Sequence, residues 1–416
     1  MGYQYLWIDR LCIIQDDRHD KKLQIRNMHA VYKHCAICFV LPGGIQRIVG
    51  LNEETGWITR AWTLQEAIAP ARTYVVYDRW DSRYRWSGET AQEVFPDGSF
   101  RYSMAPLADI LASSIPLKGY SGYRPAIIRS TEGDLEASAS ARVQLVALWG
   151  AMKLKGAAKE QAIWRSALMR TSSRPVDMVY SIMGLFDVTL DTHAYGEDDR
   201  LLASRAVAQA TLQKGCAPNW LGTSFFLPPS RKLSAFPRVP ETSVVNDLVQ
   251  IGYTLPDGRW REVAAMMNNF GDAQWWLVEM PSPTTIDDAG FLHFSSYAIS
   301  AAFVCGGREF TPDFDNLHVA DDGPSYVLAT DGTIWAISDS PADLLDQRST
   351  FMVFIGRQYP WDESAWAGDC TVRAVIVEEH SVGKCQILGW CWLGDVFMEW
   401  IKASWRAQSF RIGGPE

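Results

Sequence analysis

The sequence predicts an α/β fold with an open parallel sheet over residues 1–90, then a helical region over 91–220 and a β-rich region over 221–416. Three observations predict it. Uninterrupted apolar runs alternate with amphipathic segments near the N-terminus, the apolar spacing turns helical in the middle, and turn dipeptides separate apolar runs after Pro228-Pro229. At 416 residues the chain exceeds the roughly 150 that one domain usually takes, so two or three domains are expected.

Tyr5-Leu6-Trp7-Ile8 reads as the first strand, followed by a polar loop over 15–20. Residues 21–34 carry Ile25, Met28, Val31 and Tyr32 at helical spacing, and Ala36 to Leu41 forms a second strand stopped by Pro42-Gly43-Gly44. A helix from Thr59 to Ala69 ends at Pro70, and Thr73 to Tyr77 gives the third strand. Strands apolar on both faces, joined through helices, are those of a parallel sheet covered on both sides. The expectation is therefore that Leu6 to Ile8, Cys38 to Leu41 and Tyr74 to Tyr77 lie side by side in parallel.

In the middle region Val143 to Met152 and Gln161 to Met169 read as helices. Pro175 opens a third with Asp177 in its first turn, and Glu197 to Lys214 is a fourth, closed by Gly215. Strands follow at 248–255, 275–280, 325–329, 333–337, 351–355, 371–377 and 385–392, with Pro256-Asp257-Gly258 and Asp331-Gly332 as turns. They imply an antiparallel sandwich or barrel.

Composition narrows the function. Apolar residues at 47% and charged residues at 21% describe a folded globular chain, and a net charge of -9 offers no field for phosphate backbones, so nucleic acid is not an expected partner. Eighteen Trp supply core bulk and flat stacking surfaces. Eight scattered cysteines read as reduced, buried thiols. No stretch reaches the roughly 18 uncharged apolar residues of a membrane span, and the N-terminus lacks a basic leader region; a cytoplasmic or nuclear location is expected.

Most chemical motifs fail. Cys35-x-x-Cys38, with His34 beside it, has half a zinc site's spacing, but it follows a helix and opens a strand, and no second pair exists. Asp16-Asp17-Arg18-His19-Asp20 reads as a solvated loop with Asp20 capping the next helix, and Asp313, Asp315, Asn316, Asp321 and Asp322 read as a surface loop; no metal site is assigned. Phosphate-loop, zinc-helix, nucleophile-elbow and dinucleotide signatures are absent.

Two segments are more specific: residues 5–16, Tyr-Leu-Trp-Ile-Asp-Arg-Leu-Cys-Ile-Ile-Gln-Asp, and residues 60–66, Arg-Ala-Trp-Thr-Leu-Gln-Glu. They resemble the second and third blocks of the fungal heterokaryon-incompatibility (HET) domain, and Gln24 to Met28, Val31 and Tyr32 fit the same family, so the resemblance covers roughly residues 3–80. Residues 170–185 resemble the helical segment that often follows that domain. The family's first block, a Leu-Ser-Tyr-x-Trp-Gly-like strand, would precede residue 5, where the chain has Met1 to Gln4; a sheet short of that strand is expected, from a truncated gene model or a degenerate member.

The resemblance implies a role in non-self recognition between fungal cells and in programmed cell death, with self-association or a partner incompatibility protein. HET domains are similar to TIR domains, open parallel-sheet modules of which some cleave NAD, so the implied fold is a truncated TIR-like sheet and NAD is the implied substrate, with no bound cofactor. Trp62-x-x-x-Glu66 has the form of the motif that supplies the catalytic glutamate there, which makes Glu66 the candidate catalytic residue. Asp9, Gln15, Arg60 and Trp62 are the candidate ligand-binding residues, Asp9 and Gln15 because ligands bind beyond the carboxyl ends of parallel strands. The alternative is a non-catalytic interaction scaffold with a degenerate HET domain.

Overall fold

The computed structural model describes residues 4–79, 91–94, 101–115, 124–128, 135–223, 227–230, 235–245, 248–255, 257–267, 275–307, 317–320, 323–340, 342, 344, 349–360 and 370–414. Helices run α1 (Asp9–Cys12), α2 (Arg18–His34), α3 (Thr63–Ile68), α4 (Leu107–Ser114), α5 (Leu135–Lys153), α6 (Gly156–Leu168), α7 (Asp177–Met183), α8 (Arg200–Gln213), α9 (Val263–Met267) and α10 (Met398–Ser404). Strands run β1 (Cys38–Val40), β2 (Thr73–Asp78), β3 (Ala91–Val94), β4 (Arg101–Pro106), β5 (Glu241–Val245), β6 (Leu248–Thr254), β7 (Trp260–Glu262), β8 (Trp275–Val278), β9 (Thr285–Ile286), β10 (Leu292–Cys305), β11 (Leu317–His318), β12 (Ser325–Leu328), β13 (Ile334–Ser338), β14 (Thr350–Pro360), β15 (Thr371–Ser381), β16 (Lys384–Gly394) and β17 (Arg406–Ile412). The chain forms two compact units: residues 1–130 with 170–207, and residues 131–169 with 208–416.

The first unit holds a four-stranded sheet in the order β1-β2-β4-β3. β1 and β2 are parallel, with Cys38 opposite Thr73 and Val40 opposite Val75, because α3 lies in the crossover between them. Val40 and Val75 are wholly buried, as strands covered on both faces require. The sheet departs from the all-parallel expectation at β4, which runs antiparallel to both β2 and β3.

The expected first strand does not form. Residues 4–8 are irregular, and the Ile8 carbonyl accepts from the Leu11 and Cys12 amides, which starts the short helix α1. Tyr5 is 93% exposed and Leu6 76%, so the apolar run has no sheet to bury it. A strand must satisfy its backbone by pairing, and among the described residues β1 carries no partner on the edge away from β2. The run 5–8 held the composition of a strand without the neighbour that makes one.

α2 begins three residues before the predicted start. Its N-cap is Asp17, which accepts from the His19 amide at 2.7 Å and the Asp20 amide at 3.2 Å, rather than Asp20. Asp20 is turned to the Ile14 amide at 2.8 Å and to Gln24. Ile25 and Met28 give α2 its buried stripe, and the helix packs on α3 and α7. α7 appears where Pro175 places it, with Asp177 in the first turn.

In the second unit α5 packs on α6 and α9, and Gln161 of α6 imitates a strand. Its side-chain amide donates to the Leu277 carbonyl at 2.7 Å and accepts from the Leu277 amide at 2.8 Å. Between sandwich and barrel, the pairing decides for a closed ring: β10 pairs β17, β17 touches β16 through Cys385 and Ile412, β16 pairs β15, β15 pairs β14, and β14 returns to β10. Bulges at Phe303/Cys305 in β10 and Phe354/Gly356 in β14 bend the strands that close it. Met352, Phe354, Val372, Ala374, Ile376, Cys391 and Leu393 share one core with Met398, Ile401 and Trp405 in and after α10. At the Asp331-Gly332 turn Gly332 takes φ +84°, as the tight hairpin between β12 and β13 demands.

All eight cysteines are free thiols; Cys38, Cys385 and Cys391 are buried, Cys35, Cys216 and Cys370 are partly buried, and Cys12 and Cys305 are exposed, against the expectation of buried thiols throughout. Asp313, Asp315, Asn316, Asp321, Asp322 and Pro256 lie outside the described residues. Among the described residues no group of three or more His, Cys, Asp or Glu is placed to hold a metal, and no helix is long and apolar enough to cross a membrane.

Candidate functional site

Glu66 lies at the centre of the first unit's polar chemistry. The chain reaches it through a 3-10 turn at Trp57–Thr59, which is buried throughout. Thr63 fastens this turn to the start of α3, its Oγ1 lying 2.8 Å from the Trp57 carbonyl and 2.7 Å from the Arg60 carbonyl. Arg170 closes the arrangement from the segment ahead of α7: its NH1 donates to Thr63 Oγ1 at 2.7 Å and to the Arg60 carbonyl at 2.9 Å. A parallel bridge joins Arg60 to Thr171 beside it.

The Glu66 carboxylate is half-buried. Its Oε2 accepts from the Trp57 indole N–H at 3.1 Å, and the Tyr32 phenol of α2 lies within its electrostatic reach. Burial pushes the Glu66 carboxyl above the usual carboxylate range; the Trp57 donor and the Arg60 charge work against that, Asp9 adds to it, and Arg170 opposes it. Burial and the Glu66 charge raise the Tyr32 phenol, so it stays protonated as a donor. Cys38 at the start of β1 is raised by burial and by Glu66, which keeps the thiol neutral. Burial lowers the Arg170 guanidinium and Glu66 supports its charge.

Of the sequence-predicted residues, the structure brings Asp9 and Arg60 within electrostatic reach of Glu66. Asp9 is exposed on α1, and its backbone carbonyl lies 3.4 Å from the Gln15 side-chain nitrogen, which also donates to the Ile13 carbonyl at 3.2 Å. Gln15 therefore caps its own loop. Neither residue stands at a strand end, because the strand they were to follow does not form. Trp62 precedes α3 as its N-cap and turns elsewhere, its indole N–H reaching Asp177 of α7 at 3.5 Å. Burial raises the Asp177 carboxyl, with Trp62 and then Arg174 opposing.

Three members of the site went unassigned in the sequence: Trp57, Arg170 and the functional side of Tyr32. Tyr32 carried a signal, since its apolar-stripe position in α2 also ends in a hydroxyl. Trp57 and Arg170 offered none, because their roles depend on turns that bring distant segments together. Trp7 completes the surroundings, its ring set edge-on to Tyr32 at 5.8 Å and 77°.

The arrangement offers a partly desolvated carboxylate held by a neutral indole donor, with two guanidiniums in electrostatic reach. Such a group stabilises a developing cation far better than a solvated one. No curated protein and no solved structure matches the chain. The family model that matches, described as heterokaryon incompatibility protein (HET), spans residues 1–52; it takes in Asp9, Gln15 and Tyr32, and marks the N-terminal segment as a HET-domain segment.

Proposed function

We propose that this chain is a HET-type effector of fungal non-self recognition and programmed cell death whose first unit, TIR-like in kind, cleaves NAD. The observation that carries the reading is Glu66: a half-buried carboxylate that accepts from the Trp57 indole, with the Tyr32 phenol and the Asp9 and Arg60 charges in electrostatic reach. In the reaction water adds at C1′ of the ribose as the bond to nicotinamide breaks; nicotinamide leaves neutral, and ADP-ribose and a proton are released. Ionised Glu66 would face the oxocarbenium-like carbon, where a fixed anion lowers the barrier. Exposed Arg60 is the group suited to the diphosphate. Trp62 would act through the placement of α3.

The test is nicotinamide release from NAD by the full-length chain and by Glu66→Gln. The variant is expected to keep the fold and lose about 100-fold or more in rate. Turnover unchanged in Glu66→Gln would refute the assignment. A second reading, the non-catalytic scaffold, is favoured by one observation: the Trp57 indole already occupies Glu66 Oε2. Absence of turnover in the wild-type chain would select it.

A further inference from the structure

We infer that Trp57 is a positioning residue for Glu66, a neutral donor that fixes the orientation of its carboxylate and favours its ionised form. The inference builds on the reading of Glu66 as the reacting carboxylate, but its test does not need turnover.

The donor is built in. Trp57 is 3% exposed, its carbonyl is tied down by Thr63, and its indole N–H donates to Glu66 Oε2 at 3.1 Å. Indole N–H is a donor only, so the bond serves the ionised carboxylate. The guanidiniums do other work: Arg170 directs its NH1 to Thr63 and the Arg60 carbonyl, and Arg60 is exposed.

The electrostatic balance shows why the donor matters. Burial and Asp9 of α1 favour the protonated acid, and Arg60 and Arg170 favour the carboxylate. Tyr32 of α2 and Cys38 of β1 stay neutral. The hydrogen bond donated by Trp57 adds to the side of the ionised form, and it acts only while the geometry holds. Losing it therefore raises the pH at which Glu66 ionises.

The experiment measures that ionisation directly. Trp57→Phe is made in the full-length chain, alone and combined with Glu66→Gln, and denaturant stability is followed from about pH 4 to 9. The difference between each protein and its Glu66→Gln counterpart isolates the titration of Glu66. Its midpoint is expected to rise by about one pH unit in Trp57→Phe. As a second readout, the 15N indole resonance lost in Trp57→Phe should titrate with the wild-type midpoint and stay still in Glu66→Gln. Should Trp57→Phe fail to fold, an indole resonance that titrates in the wild type and not in Glu66→Gln still decides. An unchanged midpoint, or no such resonance, would overturn the inference. A shifted midpoint without any nicotinamide release would uphold it while refuting the NAD reading.

Discussion

Arg170→Met tests the site's charge balance from its far side. Arg170 is 3% exposed, and its guanidinium donates to Thr63 at 2.7 Å and to the Arg60 carbonyl at 2.9 Å and supplies positive charge toward Glu66. Charged hydrogen bonds contribute about 1.5–3 kcal/mol each, and removing one member of a buried charge arrangement costs about 3–5 kcal/mol. Thr63 Oγ1 and the Arg60 carbonyl keep each other at 2.7 Å, and Met refills the apolar stem, so the lower figure, about 3 kcal/mol near pH 8, is expected. Part of that loss belongs to Glu66 and should be about 1–2 kcal/mol smaller in a Glu66→Gln background. The sign of the pH dependence follows from the raised Glu66 carboxyl: the folded state binds its proton more tightly than the unfolded state, so stability is greatest below the unfolded value and declines as pH rises through the folded one. Without Arg170 the decline moves to higher pH, and the coupling to Glu66 vanishes near pH 4. Urea unfolding of the four proteins at both pH values measures it. A loss under about 1 kcal/mol, or a coupling equal at both pH values, would refute the reasoning.

Three further outcomes are expected. Trp62→Ala should cost about 2–3 kcal/mol in thermal or chemical unfolding, because a half-buried aromatic and its bond to Asp177 are lost, whereas Trp62→Phe should cost only the bond. Gln161→Leu should cost about 2–4 kcal/mol, since it strands the amide and carbonyl of wholly buried Leu277; a neutral result would mean the pairing contributes nothing. Asp287→Asn should flatten the acid limb of stability. Burial alone would raise this carboxyl, but His293, the Phe291 amide and Arg411 hold it below the usual range. Its contribution is therefore present above the unfolded carboxylate value and lost as pH falls through the folded one, so the gap to the variant should close on acidification.

Periodicity was legible wherever one segment's own pattern decided its state. The predicted strands at 248–255, 325–329 and 371–377 stand close to β6, β12 and β15, and the β1–α3–β2 crossover gives the parallel pair that uninterrupted apolar strands imply. What escaped needed partners distant in sequence. Residues 5–8 have a strand's composition and no neighbour to pair with; β10 reads as small and polar at Ser295, Ser296 and Ser300, yet it is the strand that meets β13, β14 and β17. β3 and β4 fall where the helical period had been assumed. The site divides the same way: the sequence motif located Glu66, while Trp57, Tyr32 and Arg170 became its partners only through folding.

The fate of Trp62-x-x-x-Glu66 shows how a short motif can be right about residues and wrong about their relation. Spacing of four puts two side chains on one helical face, which would set the tryptophan beside the carboxylate it accompanies. Here the helix begins at Thr63, so Trp62 lies outside its first turn and its indole goes to Asp177, while Glu66 takes its indole from Trp57, nine residues earlier. Each carboxylate thus receives a different tryptophan, and six-residue α3 is held by α7 through Trp62 and Gln65 and by the Trp57–Thr59 turn through Thr63 and Glu66. A helix this short has little stability of its own. Its orientation depends on those two attachments, so a change at Trp62 acts on Glu66 by moving α3 rather than by touching the carboxylate.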